Sequence, residues 1–196
     1  MALIYNNVAV PAGGAVVYNN VALQQVKSGN VLVWQKTPPF LYNSGNSYSE
    51  YTGGWTGFER QTQYGDCVQI AESNALYAYA YGMGISGVRT AKAVDFSLIN
   101  TLTLNFWTSV DRDYAHIRVC LTTFVPDGNN MWTDRNTAAP GQVYQFNGYD
   151  GNNATRNIGI DVSGYKNSYY VSIFFHSADL FENHLWPFRV YSLKCN

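Results

Sequence analysis

NTLTLNFWTSV, residues 100–110, decides the fold. Leu102, Leu104 and Phe106 alternate with Thr103, Asn105 and Trp107, so one face is apolar and the reverse is polar or aromatic. A helix would gather residues three and four apart; strict alternation belongs to a half-buried strand. HIRVCLTTF (116–124) repeats the pattern, with Ile117, Val119 and Leu121 on one face and His116, Arg118, Cys120 and Thr122 on the other. NIGIDVSG places Ile158, Ile160 and Val162 together. SYYVSIFFHS alternates Tyr169, Val171, Ile173 and Phe175 with Tyr170, Ser172, Phe174 and His176. PFRVYSLKCN closes the chain in the same manner, through Phe188 and Val190.

The best helical candidate, CVQIAESNALYAYAYG (67–82), also fails. Its second half alternates Tyr77, Tyr79 and Tyr81 with Ala78 and Ala80, which predicts two strands joined near 72–74 and tyrosines at packing positions. Turn-rich segments at 45–57, 82–87, 126–141, 146–157 and 177–187 are expected to be loops. Regular short strands with Gly/Asn-rich connections predict an all-β fold, an antiparallel jelly-roll β-sandwich of about eight strands.

Composition agrees. Only 13% of residues are charged, against roughly 25% in ordinary soluble domains, while 46% are hydrophobic, enough for a core. Twelve Lys and Arg against thirteen Asp and Glu are scattered without a basic stripe, which argues against a nucleic-acid partner. No run approaches the ~20 apolar residues that cross a bilayer, so no membrane insertion is expected. Asn6, Asn7 and Pro11 interrupt the opening, and a basic n-region is missing; the expectation is synthesis in the cytoplasm without a signal peptide. Three cysteines, Cys67, Cys120 and Cys195, form no close pair, so buried thiols are the default.

Residues 1–37 have a different texture. IYNNVAV recurs as VYNNVAL thirteen positions later, and SGNVLVWQK (28–36) is a looser third copy. Asn-Asn and Gly-Asn suit tight hairpin connections, so this unit reads as three small turn-plus-strand pieces. Such pieces are marginal alone and must rest on the sandwich, a sister chain or a larger assembly. Pro38–Pro39 stiffens the boundary, which gives a docking unit at 1–37 and a sandwich at 38–196.

Two resemblances follow from these words. Tyr5–Val10, Tyr18–Leu23 and Asn30–Lys36 resemble the opening of small structural proteins of phages and prophages in gut Firmicutes. VDFSLINTLTLNF (94–106), IGIDVSGYKNSYYVSIFF (158–175) and the terminal FRVYSLKC resemble galactose-binding-like and other carbohydrate-binding sandwiches. Together they imply a non-catalytic tail-fibre or receptor-binding protein, virion-associated, whose N-terminal unit docks other tail proteins or copies of itself, with a trimer as the expected ring.

The chemistry visible in the residues fits binding better than catalysis. No G-x-S-x-G elbow, H-E-x-x-H or close His/Cys set occurs. The histidines His116, His176 and His184 are dispersed, and His116 is expected to be partly exposed or hydrogen-bonded. DGNN occurs at 127–130 and 150–153; turn formation explains it, a structural calcium is the alternative, and no other cofactor is expected. The sequon at Asn153 is read as chance. Aromatics beside polar groups in the loops make the candidate carbohydrate site: Trp55; Trp132 with Asp134 and Arg135; Tyr149 with Asp150; and His184 with Trp186. The alternatives are a bacterial carbohydrate-binding or adhesion module and, at low weight, a glycan hydrolase using two of the thirteen carboxylates.

Overall fold

The computed structural model describes strand backbone at 3–5, 8–10, 16–18, 21–23, 25–28 and 31–35, and then residues 38–61, 67–71, 75–81, 84–109, 115–134, 136–147, 154–177 and 185–196. The chain divides into two units, Met1–Pro38 and Pro39–Asn196.

The first unit holds three antiparallel hairpins: β1 (Leu3–Tyr5) with β2 (Val8–Val10), β3 (Val16–Tyr18) with β4 (Val21–Leu23), and β5 (Gln25–Ser28) with β6 (Val31–Gln35). Tyr5 pairs with Val8, Tyr18 with Val21 and Ser28 with Val31; the Asn-Asn and Gly-Asn turns expected between them lie outside the described residues. The strands of the two repeated words pair in the same register, and the looser third pair carries a shift between Val26 and Lys27.

The second unit is a sandwich of two antiparallel sheets. Its elements are β7 (Phe40–Asn43), the single-turn α1 (Ser49–Thr52), β8 (Trp55–Gln61), β9 (Cys67–Ala71), β10 (Leu76–Tyr81), β11 (Gly84–Thr90), β12 (Val94–Asp95), β13 (Thr101–Thr108), β14 (Ala115–Thr122), β15 (Gln142–Asn147), β16 (Ala154–Asp161), β17 (Ser168–Ser177) and β18 (Leu185–Cys195). The first sheet runs β16-β13-β18-β10-β9, with β7 also on β18; the second runs β15-β14-β17-β11-β8, with β12 also on β17. Read across the sandwich, each strand matches its sequence neighbour: β16 with β15, β13 with β14, β18 with β17, β10 with β11, β9 with β8. Two long hairpins are thus rolled across both sheets, and the pair β17–β18 is inserted between them. This is an all-β jelly-roll sandwich preceded by a small hairpin unit.

Alternation builds the core. Leu102, Leu104 and Phe106 from β13 meet Ile117, Val119 and Leu121 from β14 and Val171, Ile173 and Phe175 from β17, all buried. Full burial of each such Leu, Ile or Phe side chain contributes about 1.5–3 kcal/mol. The tract 67–82 is the predicted pair of strands, β9 and β10, in register from Leu76–Ala71 to Ala80–Cys67.

Two expected loops run into strands at their ends. Segment 45–57 contains α1 and opens β8, and 82–87 opens β11. Their glycines read as turn signals, but Gly87 serves contact: a Cβ there would lie 2.2 Å from the Phe174 Cβ. Phe174 bends over this gap and meets Phe58 edge-on, with ring centroids 5.7 Å apart.

The second sheet also departs from simple alternation on its outer face. The reverse positions of β14 are buried: His116 is 6% exposed and Arg118 fully enclosed. The cause is the connection between β14 and β15. It crosses the face to the edge strand β8, where a Cβ on Gly128 would lie 2.0 Å from the Glu59 carbonyl oxygen, so only glycine allows this approach. Met131, Ala139 and Trp132 join Phe58, Ile85, Cys120 and Phe174 in a second, smaller apolar cluster beneath it.

Candidate functional site

On the outer face of the first sheet the described side chains are half-buried or exposed. Trp107, on the reverse of the apolar face of β13, pairs in register with Arg189 of β18, which pairs with Tyr77 of β10. The Arg189 guanidinium carbon lies 4.9 Å from the ring centroids of both Trp107 and Tyr77. All three side chains are half-buried. The row is aromatic–cation–aromatic, carried on three adjacent central strands, which fixes its geometry better than a loop would.

The neighbouring row is polar and uncharged. A bulge in β18 sets Tyr191 and Ser192 against Asn105, which pairs with Asn157 of β16 on its other side. Beyond it Thr103 stands beside Lys194, which is exposed, and Thr103 Oγ1 accepts a hydrogen bond from Asn196 Nδ2 at 3.0 Å. Flat rings bordered by hydroxyl and amide groups are what a sugar needs: a C–H face to cover and hydroxyls to bind.

Of the eight residues expected to form the loop site, the structure describes Trp55, Trp132 and Asp134, and the backbone of Trp186. Trp55 opens β8 rather than lying in a loop; its Nε1 donates to the Leu41 carbonyl at 3.0 Å, and its ring meets Tyr42 edge-on. Trp132 sits on the covered face of the second sheet, with Arg60 stacked 4.9 Å from its ring centroid and His176 edge-on at 5.1 Å. Asp134 is exposed nearby, and its backbone carbonyl accepts from the Thr137 N–H. Trp186 belongs to β18, opposite Ala80. Arg135, Tyr149, Asp150 and His184 lie outside the described residues. The structure therefore joins Trp132 to Arg60 and His176, two partners that spacing did not suggest.

The electrostatics of the covered face are those of a dry interior. Burial, then Arg118, then His116 push the His176 imidazole down to about 3. Burial pushes the Cys120 thiol up to about 12, against a smaller opposing pull from Arg118. Arg118 Nη1 donates to Thr133 Oγ1 at 2.7 Å, tying the sheet to the covering segment. In the first DGNN, Asp127 Oδ1 accepts from the backbone N–H groups of Asn129 and Asn130, a turn that accounts for the motif. The second DGNN lies outside the described residues. Among the described residues no three His, Cys, Asp or Glu side chains converge as a metal site would require.

Sequence reasoning passed over the Trp107–Arg189–Tyr77 row. A tryptophan on the polar side of an alternating strand was the signal for Trp107. The approach of Arg189 and Tyr77 depends on strand register, which no local pattern encodes.

No family model matches the chain, and no curated protein matches it in sequence. Solved structures of similar fold do exist. One is a carbohydrate-binding module of the β-sandwich superfamily, described for its promiscuous specificity, with TM-score 0.47 and 11% identity over 79% of this chain and 61% of that one. The chain thus spans about three-fifths of that protein's length. A family 11 carbohydrate-binding module from Clostridium thermocellum, seen with a mixed-linked tetrasaccharide, gives TM-score 0.42 and 15% identity over 72% and 87% of the two chains. The K1 cleaved adhesin domain of Lys-gingipain from Porphyromonas gingivalis gives 0.43 and 13%, over 62% and 73%. At these identities the likeness is one of fold.

Proposed function

We propose that this chain is a non-catalytic carbohydrate-binding protein that holds sugar rings on the open face of its first sheet. The observation that carries the reading is the Trp107–Arg189–Tyr77 row, presented by rigid strands and bordered by Asn105, Asn157 and Ser192. Trp and Tyr give contact area with little rotamer entropy to lose, and the adjacent amides and hydroxyls supply direction. The test is a glycan array and a polysaccharide-retention gel. Trp107→Ala and Tyr77→Ala should each weaken binding at least about tenfold, the scale of an aromatic hot spot. Retention unchanged in both variants would remove the platform from the mechanism.

The loop set gives a second reading, favoured by the Arg60–Trp132 stack. Here Trp132, Asp134 and Arg135 meet the sugar, with Tyr149, Asp150, His184, Trp186 and Trp55 as further members. Loss of binding in Trp132→Ala with Trp107→Ala unaffected would select it.

The setting we infer is a phage or prophage tail, where the hairpin unit docks other virion proteins or joins copies of this chain, with a trimer as the expected ring. Three tandem hairpins of three to five residues per strand support it, because each is too small to enclose a core. Light scattering on the full chain and on residues 39–196 tests this: an oligomer that persists without the hairpins would overturn it. A bacterial adhesion module is the alternative setting, and flanking genes separate the two.

A further inference from the structure

We propose that the covered sheet carries a second site, separate from the sugar platform, where Arg89 and Ser172 take the carboxylate group of a small organic or sugar acid. The two residues face each other in register on β11 and β17, and Cys120 of β14 pairs with Ser172 on its far side. Opposed side chains in such a pair stand about 5 Å apart at Cβ. Ser172 is fully enclosed, and its Oγ has no hydrogen-bond partner among the described residues. Arg89 is half-buried; its Nε is enclosed and likewise unbonded. A buried hydroxyl and a buried guanidinium N–H each cost free energy when left unbonded, so two of them side by side call for a shared partner.

The donors set the chemistry of that partner. Arg89 Nη1 donates to the Thr90 carbonyl at 3.5 Å, the long limit of a hydrogen bond, and this is the whole of its bonding. The other edge of the fork, Nε with Nη2, is unbonded, and no described carboxylate forms an ion pair with it. That edge offers two parallel N–H groups in one plane, which match the two oxygens of a carboxylate. The Ser172 hydroxyl, one strand over, adds a third donor. The strands β11, β14, β15 and β17 contain no Asp or Glu. Of the acids on the elements around them, Glu59 alternates to the opposite side of β8 from Thr56, and Asp134 is exposed next to Thr133. Asp127 Oδ1 is held by the Asn129 and Asn130 N–H groups. Asp95 of β12 stands beside Ser168, four positions along β17 from Ser172, with Oδ1 on the Ser97 N–H.

The row opens to solvent at one end. Thr56 of the edge strand β8 pairs with Arg89 and is exposed, Arg89 is half-buried, and Ser172 is closed. The cover closes it: between Thr122, the end of β14, and Gly128, against Glu59 of β8, the chain crosses the two strands that carry Ser172 and Arg89. An acid entering from the β8 edge would meet the guanidinium first and the hydroxyl last.

The test titrates the full chain with acetate and with D-galacturonate, follows the Arg89 side-chain N–H and the backbone of β11 and β17 by NMR, and uses galactose and inorganic phosphate as controls. The expected result is a saturable shift with at least one of the two acids and none with galactose. Arg89→Gln should weaken that binding about tenfold or more, and Ser172→Ala by a smaller factor. Arg89→Lys should recover only part of the loss, because a point charge lacks the planar fork. Absence of a saturable shift with either acid, or a shift that Arg89→Gln leaves unchanged, would overturn the site. Tighter binding of phosphate than of either acid would overturn the carboxylate assignment. If Arg89→Gln fails to fold, Ser172→Ala decides: an affinity for the acid unchanged in that variant would overturn the shared contact.

Discussion

Gly87 of β11 pairs with Phe174 of β17, and its missing side chain is a packing element. A Cβ there would also approach the Ile173 carbonyl oxygen at 2.5 Å. Gly87→Ala should therefore cost about 1–3 kcal/mol, read as a lower urea midpoint with an unchanged slope. Cys120 makes a second prediction: enclosed and pushed up to about 12, its thiol should resist alkylation until the chain unfolds, as peptide mapping would show. His176 makes a third. Its folded imidazole titrates near 3, below the ordinary 6.5, so its stabilising contribution is complete above pH 6.5. As pH falls from there toward 3, the unfolded chain takes up a proton that the folded chain refuses, and stability drops by about 1.4 kcal/mol per pH unit. His176→Gln should flatten that slope in urea titrations at successive pH values. At this scale the sequence was partly legible. Alternation put Trp107 on the side away from the core, but the long-range Trp107–Arg189 pairing, across β13 and β18, left no local trace.

Strands were legible where apolar residues alternate, as in β13, β14, β17 and β18, because burial of one face imposes a period of two. They were hidden in β11, where Gly87, needed for close contact with β17, imitates a turn, and at the start of β8, which follows Gly53 and Gly54. The segment between β14 and β15 was correctly expected to be irregular, yet its role as a cover was not readable, since nothing local says that a loop will cross a sheet. That role is testable. Gly128→Ala places a carbon against the Glu59 carbonyl and should lift the cover from β8. Water would then reach the face below, and the His176 imidazole should move up toward its ordinary value in an NMR titration. An unchanged titration would mean that the cover stays seated without this contact.

The second unit was legible as an antiparallel sandwich because the sequences of β13, β14, β16, β17 and β18 follow the two-residue period. What the sequence left open was that the second sheet is covered, since both sheets have polar reverse faces and the path of the segment between β14 and β15 across one of them is not a local property. The boundary also has a consequence for folding. The unit Pro39–Asn196 contains its own core, so residues 39–196 alone should unfold in one cooperative transition, with calorimetric and van't Hoff enthalpies in agreement. Within it, the beginning and the end of the chain lie side by side: Phe40 pairs with Lys194, and Cys195 donates to the Pro39 carbonyl at 3.1 Å. A polymer gripped near Arg189 and a tether pulling at residue 39 would load β7 and β18 from opposite ends, parallel to the strands. Tension then falls on all of their rungs together instead of peeling them one by one, the arrangement that suits a tether under drag.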